Sequence, residues 1–409
     1  MEKRRVVITG VGVISSIGNN CDEFWQSLQR GQSGIRLIQA VDVQKLRMNN
    51  GAEVQSFNPL DYFPNRQVDL LDRFAQFGVV AAREAVKNAS IDWTPDLQER
   101  TSIVTGSCVG GQTSEDRGFS ELYQQQRKKI HPLTVPRVMA NATASHISID
   151  LGIKGPGYTL STACSSSNHA IGLAYWMVRH GMAEMAIAGG SEAPFSMGHL
   201  KAWDALRVIS PDTCRPFDQN RSGTILAEGG AMLVLEPLDA ALARGAKIYG
   251  EIVGFGMSSD AYHLTQPSAQ GATLAIESAL KDGELQREQI GYINAHGTGT
   301  QANDKMEISA ICSVFGTHAQ KLAISSTKSL HGHALGAAGA IEAVATILAL
   351  QQGILPPTAN FTEPDPQCAL DVIPNQSRLV EVEYALSNSF AFGGLNAVLA
   401  FRRWTHLRV

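Results

Sequence analysis

Short β-branched runs alternate with amphipathic helical stretches along this chain, and partway through the alternation begins again. The runs "RRVVITGVGVI", "RTSIVTG", "MAIAGGSEA" and "GAMLVLEPL" are separated by stretches such as "QFGVVAAREAVKNA" and "NHAIGLAYWMVRHG". Near-continuous apolar strands between helices of 3.6-residue period are the pattern of βαβ units, so the sequence specifies an α/β protein. The rhythm restarts at "ARGAKIYGEIVGFGMSSDAYH" and runs through "GATLAIESALKDG", "IGYINAHG", "GAAGAIEAVATILALQQG" and "YALSNSFAFGGLNAVLAFRR". Two α/β halves are therefore expected, residues 1–249 and 250–409. No Pro-rich or low-complexity linker divides them, so they should share an interface. Residues 110–136, "GGQTSEDRGFSELYQQQRKKIHPLTVP", are polar and end in prolines. They read as a surface excursion used for contacts.

The chain has 409 residues, 44% hydrophobic and 18% charged, enough to bury a large core. A net charge of -4 supplies no basic field for nucleic acid. After "MEKRR" the apolar run is too short and interrupted for a signal peptide or a membrane span, which places the protein in the cytoplasm. The six cysteines, Cys21, Cys108, Cys164, Cys214, Cys312 and Cys368, show no CxxC pair and no metal-ligand spacing. Neither a disulfide framework nor a metal site is expected.

Cys164 is the exception to an inert reading. "GYTLSTA" leads into it as a strand and "SSSNHAIGLAYWMV" leaves it as a helix, so the thiol stands at a helix N-terminus, where unsatisfied N–H groups favour thiolate. A lone cysteine is more often a packed small hydrophobe. Three glycine-rich stretches of the second half tip the balance: "NAHGTGTQANDKME", "SSTKSLHGHALGAAGAIE" and "NSFAFGGLNAV". His296 and His333 each adjoin glycine at a loop junction, away from the apolar helix faces where core histidines sit. Lys328 is either a solvated loop lysine or a charge held near these histidines, with Glu342 in reach as its partner. The glycines after Phe392 either make a turn or let backbone N–H groups approach a substrate oxygen.

Taken together, "RRVVITGVGVISSIGN", "GQSGI", "GPGYTLSTACSSS", "RPFDQNRSG", "GAKIYGEIVGFGMSSDAYH", "NAHGTGT", "STKSLHGHALGAAGAIE" and "NSFAFGGLNA" resemble, in order and end to end, the elongating β-ketoacyl-acyl carrier protein synthases. The resemblance implies a duplicated thiolase-like fold of five α-β-α-β-α layers, working as a homodimer or beside a homologous chain-length subunit. It implies decarboxylative condensation of an acyl group on Cys164 with malonyl carried by acyl carrier protein, with no redox cofactor. His296 and His333 would be the paired catalytic histidines, and Lys328 and Glu342 the supporting charged pair. Thr298 and Thr300 would hydrogen-bond the pantetheine arm. Phe392 would be the gating aromatic, its N–H joining that of Cys164 as the oxyanion hole.

The chain also departs from that pattern. Serines follow Cys164 where "TSG" is common, "SGT" replaces "DGF", and "AFGGLN" replaces "GFGGTN". Thr134 and Thr224 in place of aromatics, with Val109 in place of a bulkier aliphatic, would widen the acyl pocket and make it more polar, and the serines belong with the same change. That favours a dedicated polyketide or polyene line over housekeeping fatty acid elongation. For docking an acidic carrier protein, "NRQVDLLDRFAQF" offers only Arg66 and Arg73, so Arg127, Lys128, Lys129 and Arg207 are further candidates. A thiolase or an initiating synthase would pair the cysteine differently, and the second histidine argues against both. A non-catalytic chain-length partner normally lacks the active cysteine, which is present here.

Overall fold

The computed structural model describes residues 3–405, so the first two residues of "MEKRR" lie outside it. Its main sheet has strands β1 (Val6–Ser15), β2 (Thr101–Gly106), β3 (Gly157–Leu160), β4 (Met185–Glu192), β5 (Gly229–Pro237), β6 (Gly250–Ser259), β7 (Ile290–Asn294), β8 (Ala323–Ser325), β9 (Tyr384–Phe390) and β10 (Leu395–Arg403). The helices that matter for the site are α1 (Arg73–Ala89), α2 (Gln112–Tyr123), α3 (Ala142–Leu151), α4 (Ser166–Arg179), α5 (Met197–Leu206), α6 (Ala269–Asp282), α7 (Gln301–Phe315) and α8 (Ala338–Gln352).

The strand order is β8-β7-β9-β10-β6-β1-β5-β4-β2-β3, which reads the same from either end as a duplication. From β1 outward the pairings with β5, β4, β2 and β3 are antiparallel, antiparallel, parallel and parallel. From β6 outward, the pairings with β10, β9, β7 and β8 repeat that series. Within the main sheet the two five-strand halves join where Val6–Ile8 of β1 pairs antiparallel with Gly250–Ile252 of β6.

The layers follow from which helices touch which strands. α1 covers the outer face of β1, β5 and β4, and α6 covers β6 and β10 in the same way. α4 and α8 lie between the half-sheets, each touching strands of both. That position explains the composition of α8: Ala338 through Leu350 are all buried, so the helix has no polar face. The apolar stretch Leu335–Gln352, long enough by length to cross a membrane, is this interior helix. One contiguous core runs from Val6 and Ile8 to Leu399 and Phe401, drawing on both halves.

Close approach of helix to strand repeats as well. A Cβ on Gly10 or Gly12 of β1 would stand 2.0 Å from the carbonyl oxygen of Ala85 or Ala81 on α1. On Gly254 or Gly256 of β6 it would stand 2.4 or 2.2 Å from that of Ala279 or Ala275 on α6. Only glycine lets the backbones approach this closely. The excursion over residues 110–136 contains α2 and leaves Phe119, Tyr123, Leu133 and Val135 exposed.

Candidate active site

Cys164 is placed by a strained turn. Between β3 and α4 the chain passes through Ala163 at φ 51°, a left-handed conformation that costs a residue with a Cβ. Ser165 then caps α4, so the thiol lies beside the first turn of a helix that runs between the half-sheets. The serines hold this turn together. Ser166 Oγ donates to the Ala163 carbonyl at 2.6 Å, and Ser165 Oγ lies within 2.7 Å of the Leu395 carbonyl. Ser167 Oγ accepts the Ala340 N–H at 2.9 Å, docking α8 on α4. All three are fully buried. They are structural, which corrects the expectation that they belong with the acyl pocket.

The other half brings its residues to the same cavity. It is lined by Cys164, Thr224, His296, Thr298, Thr300, His333 and Phe392, with Trp203, Leu264 and Phe390. His296 follows β7 on a loop whose N–H groups at His296 and Gly297 both donate to the Glu307 carboxylate on α7, each at 2.8 Å. His333 is strapped to the segment after Thr224: its N–H donates to Ile225 at 2.7 Å and its carbonyl accepts from Ala227 at 2.9 Å. The two imidazoles meet edge to face, centroids 5.5 Å apart. Thr298 and Thr300 share a 2.9 Å hydroxyl hydrogen bond, and Thr300 also caps α7.

Behind the histidines, Lys328 Nζ meets Glu342 Oε1 with both side chains fully buried. Burial together with the Lys328 charge lowers both His296 and His333 well below the usual imidazole range, so both are neutral. Each Nδ1 is buried without a partner. A bare lone pair is cheaper to bury than an unpaired N–H, which puts the proton on each Nε2. Burial pushes the Glu342 carboxyl up, while Lys328 draws it back toward ionisation.

The thiol differs from the sequence expectation. Burial raises Cys164 to about 11, outweighing Lys328 and the backbone N–H groups of Phe392 and Cys164, which pull the other way. Those two N–H groups are the backbone donors that favour a charge on the sulfur. Phe392 reaches it because Gly393 and Gly394, at φ 83° and 72°, turn the chain between β9 and β10.

Several expected residues stand elsewhere. Val109 and Thr134 do not line the cavity, and of the three proposed pocket residues only Thr224 does. The Val109 N–H is directed at Glu192, 3.4 Å away, and Thr134 Oγ1 donates to the His131 carbonyl at 2.7 Å. Arg73 is turned inward, its guanidinium paired with Glu228 at 2.6 Å and resting on the Phe77 ring. That engagement takes it out of the docking set. Arg66, Arg127, Lys128, Lys129 and Arg207 are exposed, Arg127 being paired with Glu121. Among the buried carboxylates that carry no local mark in the sequence, Glu192 and Glu307 stand against the catalytic loops. Glu192 accepts from Ser107 Oγ and from the Cys108 and Gly336 N–H groups, and burial raises it to about 7.

A duplicated α/β fold that joins a buried thiol, two neutral imidazoles and converging backbone N–H groups is an acyl-transfer enzyme by its construction. The chain matches the β-ketoacyl synthase N-terminal domain over residues 3–241 and the C-terminal domain over residues 249–362, and it belongs to the β-ketoacyl synthase family. It is an acyl-transferring synthase. It is 44% identical over 400 residues to nodulation protein E of Rhizobium sp., covering 98% of this chain and 99% of that one. To 3-oxoacyl-[acyl-carrier-protein] synthase 2 of Synechocystis sp. it is 42% identical over 412 residues, 99% of each. Among solved structures it superposes on the ishigamide ketosynthase/chain length factor at TM-score 0.94 with 37% identity, covering 98% of this chain and 100% of that one. A β-ketoacyl synthase from Burkholderia phymatum matches at TM-score 0.92 with 36% identity and the same coverage.

Proposed function

We propose that Cys164 carries the acyl group and that the enzyme elongates chains in a dedicated polyketide or polyene line. The observation that carries the chemical part is the convergence on one cavity of the Cys164 sulfur, the two N–H groups that favour its charge and both imidazoles. The sulfur attacks the carrier-bound thioester, its proton ends on the departing carrier thiol, and the Cys164 and Phe392 N–H groups hold the tetrahedral oxyanion. Malonyl thioester then enters against Thr298 and Thr300. As carbon dioxide leaves, Nε2–H of His296 and of His333 stabilise the enolate, whose carbon attacks the acyl-Cys164 carbonyl and expels the thiolate. The steps balance without a redox cofactor.

The pathway part rests on the cavity wall. Thr224 is buried in that wall with its hydroxyl unpartnered, a small residue that leaves room a bulkier side chain would fill. The likeness to a ketosynthase/chain length factor and to nodulation protein E supports the same reading. The partners are an acidic acyl carrier protein, met by Arg66, Lys128, Lys129 and Arg207, and either a second copy or a homologous chain-length subunit. Mass spectrometry of Cys164 after incubation with saturated, polyunsaturated and aryl-primed carrier proteins, with and without candidate partner subunits, tests both parts. Preference for polyunsaturated or aryl chains is expected. A clear preference for saturated medium chains overturns the pathway, and condensation at the wild-type rate by Cys164→Ala overturns the nucleophile.

A further inference from the structure

Phe392 has a partner that the acyl-transfer chemistry does not use. Its ring stacks on the indole of Trp203, centroids 6.0 Å apart and planes inclined by 20°, within the range where aromatic pairs attract beyond their buried area. The two sides of the stack are held very differently. Trp203 sits on α5 against Leu200, Phe195 and Leu226, and its Nε1–H donates to Nε2 of His199 one turn earlier, at 2.9 Å. Burial lowers His199, keeping that nitrogen free to accept. Phe392, by contrast, rides on the turn made by Gly393 and Gly394, which is tied by two backbone bonds, Gly393 N–H to the Leu264 carbonyl at 2.7 Å and Asp260 N–H to the Gly394 carbonyl at 2.9 Å. The Phe392 ring and N–H are carried by one residue, so a shift of this segment that lifts the ring from the indole would displace the N–H with it.

We propose that Trp203 is a positioning residue: its indole, oriented by His199, is the fixed face on which the Phe392 ring rests while the Phe392 N–H faces the sulfur. The stack then couples the cavity mouth to the oxyanion hole, since a displaced ring opens the one and removes a donor from the other. This rests on the assignment of Cys164 as acyl carrier and of the Phe392 N–H as an oxyanion donor.

Two reactions of Cys164 separate this role from mere packing. Acylation by a carrier thioester passes through an oxyanion; alkylation by iodoacetamide, in which the thiolate displaces iodide and forms a C–S bond, does not. Trp203→Leu keeps an apolar side chain but loses the flat face, and is expected to slow acylation roughly three- to tenfold, the weight of one aromatic pair. Alkylation of Cys164 should fall less than acylation, because it loses one N–H that favours the thiolate but no oxyanion donor. Trp203→Phe keeps a flat face without the bond to His199 and should retain most of the acylation rate, and in a Phe392→Ala background Trp203→Leu should add no further loss of acylation. Acylation unchanged in Trp203→Leu, both rates falling in step, or a full Trp203 effect persisting without Phe392 each overturns the inference. A wild-type Cys164 that takes no acyl group overturns the nucleophile assignment itself, whereas acylating wild type with an indifferent Trp203→Leu overturns the positioning role alone.

Discussion

His296 and His333 present their rings to each other at 85° with centroids 5.5 Å apart, each with a buried, unpartnered Nδ1 and each open through Nε2 to the cavity of Cys164. Two neutral donors lining one cavity suit an enolate oxygen better than a thioester carbonyl that the Cys164 and Phe392 N–H groups would hold. Replacing His333 by Ala should therefore lower malonyl decarboxylation on the order of a hundredfold or more while costing Cys164 acylation under tenfold. Carbon dioxide release and acyl loading, followed separately on the same variant, decide it; equal losses in both would show that the histidine serves both half-reactions.

Burial holds Cys164 high, so at neutral pH it is a thiol. The alkylation rate follows the thiolate fraction, which grows tenfold for each pH unit below the thiol's own value. Peptide-resolved iodoacetamide labelling should show Cys164 still climbing at pH 9.5, whereas the exposed Cys312, less strongly raised by burial, bends over earlier. A Cys164 rate that levels off below pH 8 would mean that the helix terminus and Lys328 outweigh burial.

What the sequence revealed of the site depended on how local each signal is. Cys164, His296, His333 and Phe392 stand beside glycines or at element ends, and such junctions announce themselves within a few residues. Lys328 and Glu342 were readable as a pair because only 14 residues separate them, across one short loop and a 3-10 turn. The direction of Arg73 was not, because its partner Glu228 lies 155 residues away and only the tertiary fold turns the guanidinium inward. Glu192 and Glu307 look like ordinary surface charges on a strand and a helix until folding buries them against loop N–H groups. Trp203 carries no local mark separating a wall of the cavity from a core aromatic. The duplication was written more plainly than the rhythm alone conveys: "GVG" at 10–12 and "GFG" at 254–256 mark equivalent helix–strand contacts, a repeat visible once the spacing from each half's first strand is compared.

The contrast between Arg66 and Arg73 divides docking from stability. Arg66 is exposed on the surface, whereas Arg73 is the partner of a buried carboxylate. Arg73→Ala leaves Glu228 uncompensated and should destabilise the protein by about 2–4 kcal/mol, read as a lowered midpoint in urea. Arg66→Glu should leave that midpoint within about 0.5 kcal/mol and raise the KM for acyl carrier protein several-fold, an effect that fades with added salt. A carrier KM that ignores Arg66→Glu at low salt would move the docking face elsewhere.

Lys328 and Glu342 make a different prediction because neither touches solvent. Lys328→Met removes the charge that draws Glu342 toward ionisation, so the carboxyl, already raised by burial, rises further. A carboxyl whose folded value is raised holds a proton that the unfolded chain has lost, and stability falls by about 1.4 kcal/mol per pH unit from the unfolded value up to the folded one. In the wild type that window closes early, since the ion pair forms as Glu342 ionises. In Lys328→Met it extends upward, so the stability gap between variant and wild type should be narrow at pH 6 and widen steadily toward pH 9. The same substitution removes a positive charge that favours the Cys164 thiolate and holds both histidines neutral. Cys164 alkylation at a fixed pH should therefore slow as well. Urea midpoints across that pH range, with labelling rates measured in parallel, test the pair; a stability gap that shrinks as pH rises would show that Glu342 stays ionised without its lysine.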